Sequence, residues 1–301
     1  MDRRHFLLGC TATLLTAKST LSFAAQTAVA QTVIPLWPGT PPGGGGPEGT
    51  VETSPSGAER HIAVPTLTVL RPSMGNGHVV LIAGGGGYKR IEMAKEAWPA
   101  ARWLTARGYT AAILRYRLPS EQWGDGNRVA LQDALRALQL VKAQATGLTV
   151  LGFSAGAHLL GMAISPMGAR MGAVTEAQDS APVQVDGAAL IYPVITLEAP
   201  YTHTSTHRIL LGAHPTAAED AAWSVQNTVT AASPPFFLVQ AEDDPISDPH
   251  NTLIMARACQ QHHVNVEMIR YPTGGHGFGM GKPGTPTMAW PARYQHWLQS
   301  R

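Results

Sequence analysis

A serine between two glycines is the first feature of the sequence that could do covalent chemistry. It stands in Gly152-Phe153-Ser154-Ala155-Gly156, where an apolar run that predicts a buried strand meets the start of a helix. A strand that turns directly into a helix strains the serine backbone and lifts its hydroxyl out of the sheet. The pattern predicts that Ser154 is a nucleophile. The alternative is a solvated serine in a glycine-rich turn.

A serine hydroxyl is a weak nucleophile at neutral pH and needs a base that accepts its proton. Two later segments, each just beyond a predicted strand, offer a base and an acid that would orient it. His276, flanked by glycines, is predicted to be the general base. Asp244 is the favoured acid because Pro245 follows it, so the side chain can project while the chain leaves the sheet. Asp243 is the runner-up and Asp248 is less favoured.

Four consecutive glycines, residues 84–87, follow the predicted strand 78–83. Attack by a serine places negative charge on a carbonyl oxygen, and donors must already be aimed at that oxygen. The backbone N–H groups of Gly86, Gly87 and Ala155 are predicted to be these donors. A phosphate-binding loop is disfavoured because no Lys-Ser or Lys-Thr pair follows the glycines. A simple flexible turn remains the alternative.

Several bulky side chains stand close to these motifs. Tyr88 directly follows the glycine run and is predicted to bind substrate by lining the acyl pocket. Trp98 and Trp123 could stack on a sugar ring, although core positions are more typical of tryptophan. His158, one helical turn after the serine, and Arg117 are interpreted as structural residues.

The elements that position these residues follow from the hydrophobic pattern. Strands are predicted over residues 66–70, 78–83, 110–116, 148–153, 187–192, 235–240 and 264–271. Helices are predicted over residues 92–107, 127–145, from 155, 251–261 and 288–299. Helices between strands indicate parallel pairing, while the first two strands could be antiparallel. The expected fold is a three-layer α/β fold with a mostly parallel twisted sheet and helices on both faces.

Domain boundaries follow from composition. Residues 31–60 are rich in glycine and proline and are interpreted as an extended lead-in, and residues 61–301 as one domain. Residues 197–233 interrupt the alternation of strands and helices, so we interpret them as a lid-like insertion over the carboxyl edge of the sheet. Three histidines there, His203, His207 and His214, lack a cysteine or carboxylate at ligand spacing, so no metal is expected. No cofactor is expected either.

Residues 1–30 resemble an export signal of the twin-arginine type. Arg3 and Arg4 precede an apolar stretch, and Ala28-Val29-Ala30 offers a cleavage site. The expected location is therefore periplasmic or secreted. An uncleaved N-terminus in a cytosolic protein and lipidation at Cys10 are the alternatives. If the signal is removed, Cys259 is the remaining cysteine, so the mature chain can form no internal disulfide.

Composition excludes several partners. The formal net charge is +2, and lysine and arginine are scattered, so nucleic-acid binding is not expected. No later stretch approaches the ~20 apolar residues that span a bilayer, so stable membrane insertion is not expected. The oligomeric state is left open.

Taken together, these motifs resemble the α/β-hydrolase superfamily, and more narrowly its branch of bacterial acetyl xylan esterases, feruloyl esterases and related carbohydrate esterases. The matching segments are residues 34–39, 65–69, 85–88, 114–119, 152–156 and Asp244-Pro245, together with His276. Two positions depart from the pattern: Gly84 stands where relatives often carry His or Pro, and Ala157 replaces a common glycine. The resemblance implies hydrolysis of small acyl esters, often acetyl groups on sugars, without an obligatory metal.

The main functional hypothesis is a serine ester hydrolase that removes short acyl groups, especially acetyl, from a carbohydrate or similar small-molecule or polysaccharide ester. A general short-chain carboxylesterase or a feruloyl esterase is the nearest alternative. A serine peptidase is less favoured because the chain lacks room for a gating domain. A binding protein that has lost catalysis is disfavoured because all three triad residue types are present.

Overall fold

The computed structural model describes residues 29–174 and 182–301. The strands within these residues are β1 (Ala30–Pro35), β2 (Glu52–Thr53), β3 (Glu59–Arg60), β4 (Thr66–Arg71), β5 (His78–Ala83), β6 (Thr110–Arg115), β7 (Gly147–Phe153), β8 (Gly187–Ile191), β9 (Phe236–Ala241) and β10 (Val266–Tyr271). The α-helices are α1 (Trp98–Thr105), α2 (Val129–Lys142), α3 (Ala155–Ala163), α4 (Pro166–Met171), α5 (Ser205–Leu211), α6 (Ala217–Ala222), α7 (His250–Gln261) and α8 (Trp290–Leu298).

The described strands form one large sheet in the order β1-β4-β6-β5-β7-β8-β9-β10, beside the small hairpin β2-β3. The strands from β6 to β10 in this order are parallel, whereas β1 and β4 are antiparallel to their neighbours. The mostly parallel sheet predicted from the sequence is therefore confirmed. The antiparallel direction of β4 is also as expected, but its partner is β6, because β6 and β7 occupy both sides of β5.

Helices cover both faces of the sheet, as two neighbouring residues of β7 show. Phe153 makes an edge contact with Trp290 of α8, with ring centroids 6.4 Å apart. Gly152 lies against the backbone of Ala157 in α3, where an added Cβ would come within 2.5 Å of its Cα. Successive residues of a strand point to opposite faces. Consequently α8 and α3 lie on opposite sides of β7, which gives three layers.

The predicted helix over residues 92–107 begins with a π-helical turn, Met93–Ala97, before α1. Pro99, in the first turn of α1, has no N–H to donate to the carbonyl of Lys95. The wider turn therefore precedes the proline, and the regular helix begins at Trp98. The 3-10 segments Pro119–Glu121, Gly126–Arg128, Val225–Thr228 and Pro286–Ala289 complete the described helical structure.

The extended lead-in predicted for residues 31–60 is only partly correct. β1 pairs with β4 along its whole length and forms the edge of the sheet, and β2 and β3 form a hairpin. Pro35 ends β1, which an edge strand tolerates because one of its sides needs no backbone donor. Leu36 is 1% exposed and belongs to the main core. This segment is therefore part of the domain.

A buried ion pair connects the first part of the chain to α2. The side chains of Arg117 and Asp133 are both fully buried, with Nη2 and Oδ1 2.8 Å apart. Trp37 donates its indole N–H to the same carboxylate at 2.8 Å, and Arg117 also donates to the carbonyl of Pro42. The structural role expected for Arg117 agrees with this arrangement.

The structure describes one of two further predicted segments and leaves out most of the other. Residues 197–233 contain α5, α6 and the 3-10 segment Val225–Thr228. Residues 1–28 of the predicted export signal lie outside the described residues, so the signal stays a prediction. No helix in residues 29–174 and 182–301 is long and apolar enough to cross a bilayer.

Asp133→Asn should destabilise the protein strongly, because the guanidinium of Arg117 would remain buried without its anion. The expected loss is about 3–5 kcal/mol in the free energy of unfolding, measured by urea denaturation. Glu267→Gln is the control: it breaks an exposed pair with Arg293, and such pairs contribute about 0–1 kcal/mol. Equal losses in the two variants would contradict the importance of the buried pair.

Candidate active site

Ser154 lies at a sharp turn between β7 and α3. Its φ of 51° and ψ of −118° are rare for a residue with a side chain, and strain of this kind costs roughly 1–3 kcal/mol. The turn needs very small neighbours: a Cβ on Gly156 would come within 2.3 Å of the carbonyl oxygen of Ala83 in β5. The predicted strand-turn-helix geometry around the serine is therefore present.

Three predicted residues meet at the carboxyl ends of β7, β9 and β10. Ser154 Oγ lies 2.8 Å from His276 Nε2, and His276 Nδ1 lies 2.8 Å from Asp244 Oδ2. An ionised carboxylate can only accept, so Nδ1 carries the ring proton that Asp244 accepts. In the neutral ring, Nε2 is then free to accept the proton of the Ser154 hydroxyl. This arrangement can activate a serine.

The two neighbouring aspartates, Asp243 and Asp244, have different surroundings. The side chain of Asp244 is fully buried, and its Oδ1 accepts the backbone N–H groups of Ile246 and Ser247 at 2.8 and 2.9 Å. Asp243 instead accepts the N–H of Gly275 at 2.7 Å on the surface. That contact lowers the pKa of Asp243. The structure therefore brings Asp244, the favoured candidate, into contact with the histidine.

The expected oxyanion donors border the same site. Gly86 and Gly87 line a cavity together with Ser154 and His276. Within the described part of the chain, the backbone N–H groups of Gly86, Gly87 and Ala155 donate to no acceptor. They are therefore available to a substrate oxygen, which is the property that an oxyanion site requires.

Two side chains hold the glycine loop in place. Tyr116 donates its hydroxyl to the carbonyl of Gly84 at 2.8 Å, and Gly85 donates its N–H to Glu96 Oε2 at 2.6 Å. The loop also lies directly against the nucleophile, because a Cβ on Gly85 would come within 2.7 Å of Ser154 Cβ. Hydrogen bonds to Tyr116 and Glu96 therefore fix the first two residues of the glycine loop.

Glu96 connects the glycine loop to the histidine loop. Its side chain is 2% exposed, and its second oxygen accepts the hydroxyl of Tyr192 at 2.9 Å. The Tyr192 oxygen in turn accepts the N–H of Gly279 at 3.0 Å, and its ring makes an edge contact with His276 at 5.0 Å. Burial raises the pKa of Glu96 to about 7, although the hydrogen bonds from Gly85 and Tyr192 oppose this rise.

Sequence reasoning missed Glu96 and Tyr192. A signal for Glu96 is present: it falls on the buried stripe of Met93, Ala97, Ala100 and Leu104. A carboxylate on an otherwise apolar helical face requires buried partners. No comparable signal marks Tyr192, since a tyrosine at a strand end is common.

The prediction that Tyr88 lines the acyl pocket is wrong. Its side chain is 1% exposed and packs edge-on against Tyr116 in the core. Its hydroxyl lies 2.9 Å from His158 Nδ1, while His158 Nε2 lies 2.7 Å from the carbonyl of Trp223. Burial lowers the pKa of His158 to about 4, so the ring is neutral and donates from Nε2. Tyr88 points inward because His158 supplies the partner that its hydroxyl needs.

The cavity beside Ser154 has a volume of about 330 Å³. Its lining combines charged, hydroxyl-bearing and apolar residues: Gly86, Gly87, Lys89, Arg90, Glu92, Lys95, Glu96, Ser154, Val194, Thr204, Ser205, Thr206, Ile246, His276 and Gly277. Residues 204–206 of the predicted insertion thus border the cavity, while its action as a lid stays a prediction. Trp98 and Trp123 are absent from the lining and pack in or against the core.

One histidine of the insertion, His207, has a carboxylate partner. His207 Nε2 lies 2.8 Å from Asp220 Oδ1, a pairing across α5 and α6 that spacing along the chain did not indicate. Among residues 29–174 and 182–301, no group of three His, Cys, Asp or Glu side chains is arranged to hold a metal ion.

Glu96→Gln should change how stability depends on pH. A carboxyl whose pKa rises from 4.5 to about 7 on folding contributes most to stability below pH 4.5. That contribution should fall by about 3 kcal/mol as the pH rises to about 7, because the unfolded chain ionises first. The glutamine variant has no ionisable group at this position and lacks that contribution. The difference in the free energy of unfolding, wild type minus variant, should therefore fall as the pH rises from about 4.5 to about 7. Urea unfolding at a series of pH values measures it.

Glu267→Gln is the control for that experiment, since Glu267 is a carboxyl paired with Arg293 at the surface and is not among the groups that shift the pKa of Glu96. It should keep the pH dependence of the wild type. A difference between the wild type and Glu96→Gln that does not change with pH would contradict the raised pKa.

Comparison with known proteins agrees with this geometry. An endo-1,4-beta-xylanase B of Butyrivibrio fibrisolvens is 30% identical over 212 residues, which are 66% of this chain and 32% of the xylanase. An acetylxylan esterase of Xylanibacter ruminicola is 25% identical over 221 residues, 70% of this chain and 43% of the esterase. The matches thus span less than half the length of either relative.

A solved structure covers nearly the whole domain. The acetyl ester-xyloside bifunctional hydrolase of Caldicellulosiruptor lactoaceticus is 28% identical, with a TM-score of 0.71 over 89% of this chain and 96% of that protein. The BD-FAE family matches residues 69–258, more than half of the chain. The resemblance seen in the sequence is therefore confirmed: the chain has the α/β-hydrolase fold and belongs to the BD-FAE family.

Proposed function

We propose that the chain is a serine ester hydrolase that removes short acyl groups, chiefly acetyl, from carbohydrate esters. The continuous chain of hydrogen bonds from Ser154 through His276 to Asp244, with both distances at 2.8 Å, is the observation that carries the proposal. It supports proton transfer from the hydroxyl at the moment of attack. The esterases among the relatives support the same reaction class.

In the first step, Ser154 Oγ attacks the carbonyl carbon of the bound ester while His276 Nε2 takes the hydroxyl proton. Asp244 stabilises the imidazolium that forms. The negative oxygen of the tetrahedral intermediate would be bound by the free N–H groups of Gly86, Gly87 and Ala155. The intermediate then collapses, the carbon–oxygen bond to the alcohol breaks, and the alcohol leaves with the proton from His276.

In the second step, water replaces the alcohol. His276 accepts a proton from the water, whose oxygen attacks the acyl carbon, and the oxyanion donors act again. Breakdown of this second intermediate returns the proton to Ser154 Oγ and releases the carboxylic acid. No oxidant, metal or further substrate is needed to balance the reaction.

The shape and polarity of the cavity support a small acyl group on a polar alcohol. Its volume lies at the lower end of the range for small-molecule sites, about 300–1,000 Å³. Ser205 borders it with a partly exposed side chain, and Val194 and Ile246 border it with apolar side chains. Sugar hydroxyls could bond to such a lining. A cavity of this volume leaves little room for a long acyl chain or a large aromatic acid, which favours acetyl over feruloyl esters.

A general short-chain carboxylesterase remains the second candidate, and the exposed Ile246 beside the cavity is the observation that favours it, since Ile246 is 49% exposed. A structural neighbour from Lactobacillus plantarum, 25% identical, is a carboxylesterase. Comparing acetylated xylan and sugar acetates with p-nitrophenyl esters of increasing chain length distinguishes the two. Faster turnover of butyrate or longer esters than of sugar acetates would favour the second candidate.

Ser154→Ala should lower kcat for p-nitrophenyl acetate by at least about a thousandfold, since the covalent route is lost. It should also abolish labelling by a fluorophosphonate probe, which reacts only with an activated serine. Ser73→Ala, at an exposed loop position, is the control and should keep both properties. Turnover by the Ser154 variant at the rate of the wild type would reject the proposed mechanism.

Asp244→Asn should lower kcat by roughly 10³–10⁴-fold, because an amide at this position no longer stabilises the imidazolium or fixes its tautomer. Asp243→Asn changes the adjacent carboxyl and should stay within about tenfold of the wild type. Steady-state kinetics with p-nitrophenyl acetate measure both. Equal losses in the two variants would show that Asp244 has no special role.

A further inference from the structure

Positive charge is concentrated on one wall of the cavity beside Ser154. Lys89, Arg90 and Lys95 line that wall, and all three residues are exposed to solvent. They stand on the segment that begins with the glycine loop and ends in the π-helical turn. The cations therefore border the place where the ester must lie.

The carboxylates of the same wall pair with Arg90 or with buried groups and leave the two lysines unpaired. Glu92 pairs with Arg90, with Nε and Oε1 2.6 Å apart. Glu96 is buried and accepts hydrogen bonds from Gly85 and Tyr192.

Within the described residues, no carboxylate lies within salt-bridge distance of Lys89 or Lys95. Three cations thus face two carboxylates, and both lysine charges are uncompensated.

Lys95 also stands close to the reacting groups. A Cβ built on Gly277, the residue after His276, would lie 3.2 Å from Lys95 Nζ. The carbonyl of Lys95 lies against Gly279 on the same loop. The ammonium group therefore lies near the loop that carries His276, at the border of the cavity.

From these charges we infer that the alcohol part of the substrate carries a carboxylate, so that the preferred ester is an O-acetylated uronate unit of a saccharide. The inference rests on the proposed ester hydrolase function. A cleft with low-dielectric walls and one sign of charge concentrates ligands of the opposite sign. A carboxylate on the sugar ring would pair with Lys89 or Lys95, while the acetyl group reaches Ser154.

The neutral residues of the cavity are consistent with this orientation. Ser205, which is partly exposed, offers a hydroxyl, and Ile246 is apolar. An ammonium group bonds a carboxylate more strongly than a neutral hydroxyl does, so a uronate unit would turn its carboxylate toward the lysines.

A matched pair of substrates tests the inference: an O-acetylated methyl glucuronoside and the methyl glucoside with the same acetylation pattern. They differ only in a carboxylate or a hydroxymethyl group at carbon 6. The wild type should show about tenfold higher kcat/KM for the glucuronoside at low ionic strength. This preference should shrink as salt shortens the Debye length from about 30 Å at 0.01 M to about 8 Å at 0.15 M.

Variants identify the groups responsible. The double variant Lys89→Met, Lys95→Met removes both charges but keeps apolar length, and it should bring the ratio of the two kcat/KM values close to one. Lys142→Met, on an exposed site of α2 outside the cavity, should keep the ratio of the wild type. The ratio is the readout, so general effects of a substitution on turnover cancel.

The outcomes separate the inference from the proposed function. Equal kcat/KM for the two substrates, or a preference that survives the double variant, would overturn the inference while leaving the esterase proposal intact. Failure to hydrolyse either substrate or p-nitrophenyl acetate would overturn both.

Discussion

The backbone of Ser154 is the constraint on which the rest of the site depends. A positive φ at a residue with a side chain is tolerated only where the surrounding structure leaves the chain no alternative. Here β7 is held between β5 and β8, and α3 begins at once after the strand. Gly156 lets the helix approach the backbone of Ala83 so closely that no Cβ would fit. The strain is balanced by this close packing, and the hydroxyl emerges at the carboxyl edge of the sheet.

A second layer of interactions holds the loops around that hydroxyl. Glu96 lies between the glycine loop and Tyr192, and Tyr192 reaches the loop of His276 through Gly279. A buried carboxylate is costly, and the raised pKa of Glu96, about 7, reflects that cost. Its two donors offset part of the cost because they bond to the charged form. The same carboxyl thereby fixes two loops that are far apart in sequence.

The charges at the mouth of the cavity have a different physical character. Lys89 and Lys95 stand in solvent, so they form no rigid framework and their effect is screened by salt. They influence which ligand approaches and how it is oriented, whereas the buried network determines whether the reacting groups are aligned. Substrate specificity thus comes from exposed lysines, and alignment of the reacting groups comes from buried hydrogen bonds.

Local patterns in the sequence were enough to predict much of the fold and several residues of the active site. The order of strands and helices, the turn at Ser154 and the glycine-flanked His276 all follow from periodicity and composition over a few residues. A local pattern also placed both partners of the serine beyond strand ends. Parallel strands then bring such residues to one edge of the sheet, whatever the details of the loops.

Only the tertiary structure decided which neighbouring side chains reach the site. Asp243 and Asp244 are adjacent in sequence, and the rotation of the turn directs one to solvent and the other to His276. Tyr88 turned inward because His158, seventy residues later, offers a partner for its hydroxyl. Glu96 likewise became part of the site because Gly85 and Tyr192 donate hydrogen bonds to its carboxylate. Burial and hydrogen bonding of a side chain depend on elements distant in sequence, and no local pattern contains that information.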